Sequence, residues 1–182
     1  MYSFRNAARV LADRMTAGRL RAVAYVLTAL LCYLAQMTPH GFPAPFGARI
    51  LPLIPLTVFA AMYAGPVAGA WTGIVAGLFW DVYADRLFGM NALILLLIGC
   101  VCGLLVRLLM RNNLLTALLL CAAALLVHSL LDWLLNVVLL RAEGIWTALL
   151  SISLPNCLYT WLLSPLLYFF FDWMEKKLHK RQ

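Results

Sequence analysis

The chain repeats one pattern six times: a run of mainly apolar residues closed by a short break of proline, glycine or charge. A helix needs about 20 mainly apolar residues to cross a bilayer, so runs of this kind leave few other folds open. They cover residues 20–37, 50–63, 67–83, 91–110, 114–140 and 145–173. Pro39, Gly41, Pro43, Pro45 and Gly47 follow the first; Gly65 and Pro66 follow the second; Asp85, Arg86 and Gly89 follow the third; Arg111, Asn112 and Asn113 follow the fourth. The second run is short, with Pro52 and Pro55 near its start, where proline costs a helix least. The sixth contains Pro155 and Pro165 as candidate bends. The first is longer than most signal-peptide cores and is followed by Thr38-Pro39-His40-Gly41, so it reads as a retained span. The expected fold is therefore all-α, with six transmembrane helices in residues 20–173.

Composition agrees with a lipid-facing surface. Of 182 residues, 65% are hydrophobic and 12% charged, against about 25% charged in an average soluble domain. In water such a chain would expose more apolar surface than one core of this size can hide. Its net charge of +7 would suggest nucleic acid in a soluble protein. Here the excess sits mainly at the ends and in one internal loop, without interleaved aromatics, and nucleic acid is excluded.

The placement of the basic residues sets an orientation. With six spans and the N-terminus in the cytoplasm, the inner segments hold Arg5, Arg9, Arg14, Arg19, Arg21, Arg107, Arg111, Lys176, Lys177, Lys180 and Arg181. The outer loops hold only Arg49, Arg86 and Arg141. This is the positive-inside bias of a bacterial inner-membrane protein. If the second run did not cross, every later loop would change sides and the two sides would carry equal numbers. Both termini are thus expected in the cytoplasm: a basic, amphipathic segment (residues 1–19) and a basic tail (174–182). In the first, Phe4, Ala7, Ala8, Leu11 and Met15 recur at helical spacing, which suits an interfacial helix, a docking surface or a plain topogenic tail.

The sharpest pattern is Gly65, Gly69, Gly73 and Gly77, four glycines four apart; Gly99 and Gly103 repeat the spacing once on the fourth span. Residues at this spacing share a helix face. The result is a furrow without side chains, suited to packing within the chain or to a partner helix. The register continues to Asp81 and Asp85. Asp81 lies in an apolar setting where a carboxylate is expensive, and a helix N-terminus near Asn91 is a natural donor to it. Asp85 and Arg86 read as a solvated loop pair.

His128 and Asp132 sit at i and i+4 on the fifth span, with Ser129 beside them and Asn136 on the same face. A proton relay, a metal site and a polar lock to another helix all fit that pair. Two ligands on one helix need a third for a metal, and His40 and His179 lie in opposite end regions. A relay needs further ionisable groups at mid-depth, and the spans are nearly bare of them. The polar lock is the expected role, with no metal and no cofactor. Cys32, Cys100, Cys102, Cys121 and Cys157 all fall in apolar runs; their odd number and setting read as packing residues. No nucleophile, metalloprotease or phosphate-loop motif is present, so catalysis is not expected.

Residues 51–105 resemble the MreD family of bacterial rod shape-determining proteins. The carrying positions are Pro52 or Pro55 opening the second helix, then Gly73, Gly77, Leu78 and Asp81, then Gly89, Asn91 and Ala92. The last span, with Pro155 and Pro165, is similar too. The resemblance implies a fold like the substrate-binding subunits of energy-coupling-factor vitamin transporters. It also implies a scaffold of the cell-elongation and peptidoglycan-synthesis machinery, bound to MreC in the membrane and through it to MreB and wall-synthesis enzymes. A second reading is a substrate-capturing subunit of a vitamin transporter. It would need an A-x-x-x-A docking face on the first span, and Ala22, Ala24, Ala29 and Ala35 are followed four residues later by Val26, Thr28, Tyr33 and Pro39. It would also need a polar pocket open to the outside, for which Asp81 and the Asp85 region supply little.

Overall fold

The computed structural model describes residues 2–38, 49–82, 88–140 and 153–179, with side chains for 18–38, 49–82, 88–135 and 153–178. These form α-helices and no strand: α1 (Tyr2–Met37), α2 (Leu53–Ala64), α3 (Pro66–Asp81), α4 (Met90–Leu108), α5 (Leu114–Leu140) and α6 (Leu154–His179). The loop of Pro39 to Gly47, the Asp85–Arg86 pair and the expected start of the sixth span lie outside the described residues.

Four helical segments are long and apolar enough to cross a bilayer: Gly18–Met37, Met90–Leu108, Leu114–Leu135 and Leu154–Leu178. The other two expected spans are shorter, with 12 residues in α2 and 16 in α3. Burial explains how α2 can be short. Every residue from Leu53 to Met62 is buried, and a helix apolar all round belongs in the core. Around it the bundle turns large apolar side chains outward, among them Leu31, Leu97, Leu126, Leu162 and Phe169, each at least half exposed. That belt has no soluble rationale and suits hydrocarbon.

α1 is a single 36-residue helix. Residues 2–19 continue the first span without a break, and about 54 Å of helix exceeds a hydrocarbon core of about 30 Å. At the other end of the chain, α6 runs on to His179, so most of the expected basic tail is helical.

α2 and α3 form a tight hairpin. Gly65 has φ 92° and donates its N–H to Ala61 O at 3.0 Å, and Pro66 opens α3 at a position where its missing N–H costs nothing. A Cβ on Gly65 would meet nothing within 4 Å, so this glycine is required by its backbone conformation. It is a turn residue and not part of the furrow, which corrects the four-glycine stripe to three.

Those three are consumed by the chain itself. α3 and α4 make the most extensive helix–helix contact, and they run antiparallel. A Cβ on Gly69 would overlap Ala61 of α2, on Gly73 the carbonyl of Leu95, and on Gly77 the backbone of Ala92. From the α4 side, Gly99 lies against the Gly69 carbonyl and Gly103 against Pro66. As α3 advances by four residues α4 recedes by about as many, so backbones touch along the crossing. The furrow is therefore filled by α4 and α2, and a partner helix could enter it only by displacing them.

α1 packs against α3 and α2, and α6 against α5 and α2. Phe171 stacks on Tyr25 with ring centroids 6.2 Å apart and tilts against Phe59 at 5.7 Å, while Tyr33 of α1 meets Phe79 of α3 at 5.9 Å. α5 closes the bundle against α6 through Ser129–Cys157 (2.9 Å) and Trp161 Nε1 donating to Leu118 O (3.0 Å). Pro165 lies inside α6 and cannot donate to the carbonyl of Trp161; the Ser164 hydroxyl does so instead at 2.7 Å. Side-chain rescue of this kind lets proline stand in a helix away from water.

Because the obstructing atoms at Gly77 are backbone, Gly77→Ala is expected to lower stability by about 1–3 kcal/mol. At Gly18, where a Cβ meets nothing within 4 Å, alanine should be neutral or stabilising by up to about 1 kcal/mol. Thermal unfolding of the detergent-solubilised protein distinguishes the two; equal shifts would contradict the close approach of α3 and α4.

Candidate functional site

The last residue of α3 organises the buried polar groups. A helix N-terminus leaves its first N–H groups without partners, and α4 begins at Gly89, which has no side chain to cap them. Asp81 supplies the cap from the neighbouring helix. Its Oδ2 accepts from Gly89 N (3.0 Å) and Ala92 N (3.1 Å). Its Oδ1 accepts from Asn91 N (3.2 Å) and Asn91 Nδ2 (2.8 Å). The N–H groups of Asn91 and Ala92 are the ones a conventional N-cap side chain would bind, and a carboxylate there also suits the helix dipole. Gly89, at φ 95°, makes the turn that aims these donors back at α3.

Asn91 carries the network onward. With Nδ2 committed to the carboxylate, its Oδ1 faces His128 Nε2 of α5 at 3.3 Å, which fixes that nitrogen as the N–H donor. The imidazole stacks on Trp80 of α3, with centroids 4.9 Å apart and planes 14° from parallel. Asp81, Asn91 and His128 are all buried. Three helices are thus joined by one chain of hydrogen bonds, Asp81 to Asn91 to His128. The sequence places His128 with Asp132 on one face of α5; the structure adds Asn91 and Trp80, on two other helices, as partners of His128. The Asn136 side chain lies outside the described residues.

A second polar set joins the middle of α1, where its apolar span begins, to the ends of α2 and α6. Glu175, buried at 3% exposure, accepts from Arg21 Nη2 (2.6 Å) and from the Tyr25 hydroxyl. One helical turn earlier, Asp172 accepts from Tyr63 OH (3.2 Å) and Lys176 Nζ (2.5 Å). Charge counting hid this set by assigning residues 174–182 to a tail. Its signal is an acidic residue at helical spacing from the apolar face of Phe171, opposite the one arginine that begins the first span. At the far end of α6, Asn156 Oδ1 and Thr160 Oγ1 accept from the N–H groups of Arg49 and Leu51 (2.7 and 3.0 Å).

These groups cross-link helices. Among the described residues no three His, Cys, Asp or Glu side chains come together as a metal site, and the cysteines are free thiols. What fold and site define together is an all-helical, membrane-associated protein whose buried Asp81, Asn91, His128 and Glu175 bond from one helix to another. Within that class the chain belongs to the family of rod shape-determining protein MreD, whose family model matches residues 20–178. No curated protein and no solved structure matches it.

Asp81→Asn replaces one acceptor oxygen with a donor while preserving shape, so at least two α4 donors lose their partner. Each such loss costs about 1–3 kcal/mol. The variant is expected to unfold at clearly lower temperature in detergent than the parent; an unchanged transition would show that the carboxylate does not hold α4.

Proposed function

We propose that this protein is a non-catalytic scaffold of the machinery that elongates rod-shaped cells. It crosses the inner membrane six times, with both ends in the cytoplasm, and binds MreC within the membrane. Through MreC it reaches MreB and the wall-synthesis enzymes. The observation that carries the reading is family membership across residues 20–178, and the interior agrees with it. Asp81, Asn91, His128, Arg21, Tyr25 and Glu175 all bond to groups on other helices, as in a body built to hold its shape.

Contacts along α6 support the six passes. The chain entering α2 meets Asn156 and the end of α2 meets Asp172. These α6 residues are 16 apart, or about 24 Å of rise, most of a hydrocarbon core of about 30 Å. The start of the apolar span of α1 and the ends of α2 and α6 share one end of the bundle, the arrangement of helices alternating in direction, as in the substrate-binding subunits of energy-coupling-factor transporters. Because the glycine furrow is filled from within, the MreC helix packs on an outward apolar face of the bundle.

Two measurements test this. In a background lacking the five native cysteines, S3C, N113C and K180C are expected to react with a membrane-impermeant thiol reagent only after the cytoplasmic side is opened; labelling of S3C and K180C from opposite sides would refute the topology. MreC is expected to co-purify with the intact protein in mild detergent, and its absence from a folded, monodisperse preparation would refute the partner.

A further inference from the structure

A cleft of about 740 Å³ opens where Arg21, at the middle of α1, meets the ends of α2 and α6, a size suited to a small ligand or headgroup. Its charges do not cancel locally. Both carboxylates in the wall are occupied, Glu175 by Arg21 and Tyr25 and Asp172 by Tyr63 and Lys176. Among the described residues Lys177 is paired with no carboxylate, and it lies over the Trp173 ring, 4.5 Å from its centroid. Arg21 spends Nη2 on Glu175, while its Nε is buried without a hydrogen-bond partner among the described residues. Lys176 is largely exposed, its side chain at 72%, so its bond to Asp172 is weak and easily shared. What the cleft has left over is positive charge and N–H donors.

Its depth is marked as well. Trp173 is 57% exposed on the last turns of a helix whose preceding surface, Leu162, Leu166 and Phe169, is apolar and open. An exposed tryptophan followed by lysines at the end of such a belt marks the headgroup level of a bilayer. Cationic pockets between helices at that level recognise phosphate-bearing headgroups.

We propose that this cleft binds the phosphate of an anionic phospholipid headgroup, held by Lys176 and Lys177 with the Arg21 guanidinium behind them. Trp173 flanks the glycerol region, and the acyl chains lie along the exposed face of α6. The proposal needs a bilayer at the level of Trp173 and is independent of the MreC reading.

The test uses the full chain in nanodiscs containing phosphatidylglycerol and phosphatidylcholine, followed by native mass spectrometry of the lipids that stay bound. The parent is expected to retain phosphatidylglycerol in preference to phosphatidylcholine. At about 1 kcal/mol per basic residue near the surface, each lysine removed should weaken retention about fivefold, so K176Q/K177Q loses most of it. Neither lysine supports the core, so thermal unfolding should be unchanged. R107Q/R111Q, which removes as much charge at the end of α4 outside the cleft, should retain lipid like the parent. Millimolar inorganic phosphate decides the source: a lipid site keeps its lipid, whereas displacement would make free phosphate the ligand and overturn the lipid assignment. Equal retention of both lipids, or equal loss in the two double variants, would overturn the site itself.

Discussion

An aspartate that ends one helix and caps the next is the point on which the rest of the bundle depends. The start of α4 is buried among its neighbours, and each helix-end donor left unmet there costs about 1–3 kcal/mol. Asp81 meets those of α4 from α3 and is itself neutralised by them as a hydrogen-bonding group, since its two oxygens take four donors. Neither the carboxylate nor the bare helix start would be tolerable alone. Together they fix where α4 begins relative to α3, and Asn91 passes that constraint to His128 on α5.

The glycines follow from the same geometry. With the α3 end pinned to the α4 start, the two helices must run back along each other, and Gly69, Gly73, Gly77, Gly99 and Gly103 let them do so at backbone contact. Helices in lipid gain little from hydrophobic burial against each other, so close packing and hydrogen bonds carry their association. The Gly65–Pro66 turn adds α2 to the pair, placing a short helix, buried from Leu53 to Met62, at the centre. α1 and α6 then close around α2 through Glu175 and the aromatic side chains of Tyr25, Phe59 and Phe171. The scaffold reading, carried by family membership, agrees with this economy.

Much of this could be read from the chain, because a helix in lipid must satisfy its own backbone and therefore announces itself as an apolar run. The runs foretell the helices, and α5 has the extent its apolar stretch suggests. Spacing also isolates the glycines and Asp81. It fails where one spacing serves two purposes: Gly65 is in register with Gly69 and Gly73, yet Pro66 immediately after it makes it a turn. Periodicity sees only one helix at a time. It puts His128 beside Asp132 but cannot show Asn91, a further partner 37 residues away in sequence and on another helix. Charge counting likewise assigned Glu175 to a tail, because a buried acid paired with Arg21 across 154 residues is invisible to a count of ends.

Hydrogen–deuterium exchange of the α4 amides, measured residue by residue in nanodiscs, tests the central claim most directly. First-turn amides of a helix ordinarily exchange fast for want of a partner. If the Asp81 carboxylate caps α4, the N–H groups of Asn91 and Ala92 will be protected as strongly as those in the middle of the helix. Exchange of these two amides at the rate of an open helix end would contradict the account.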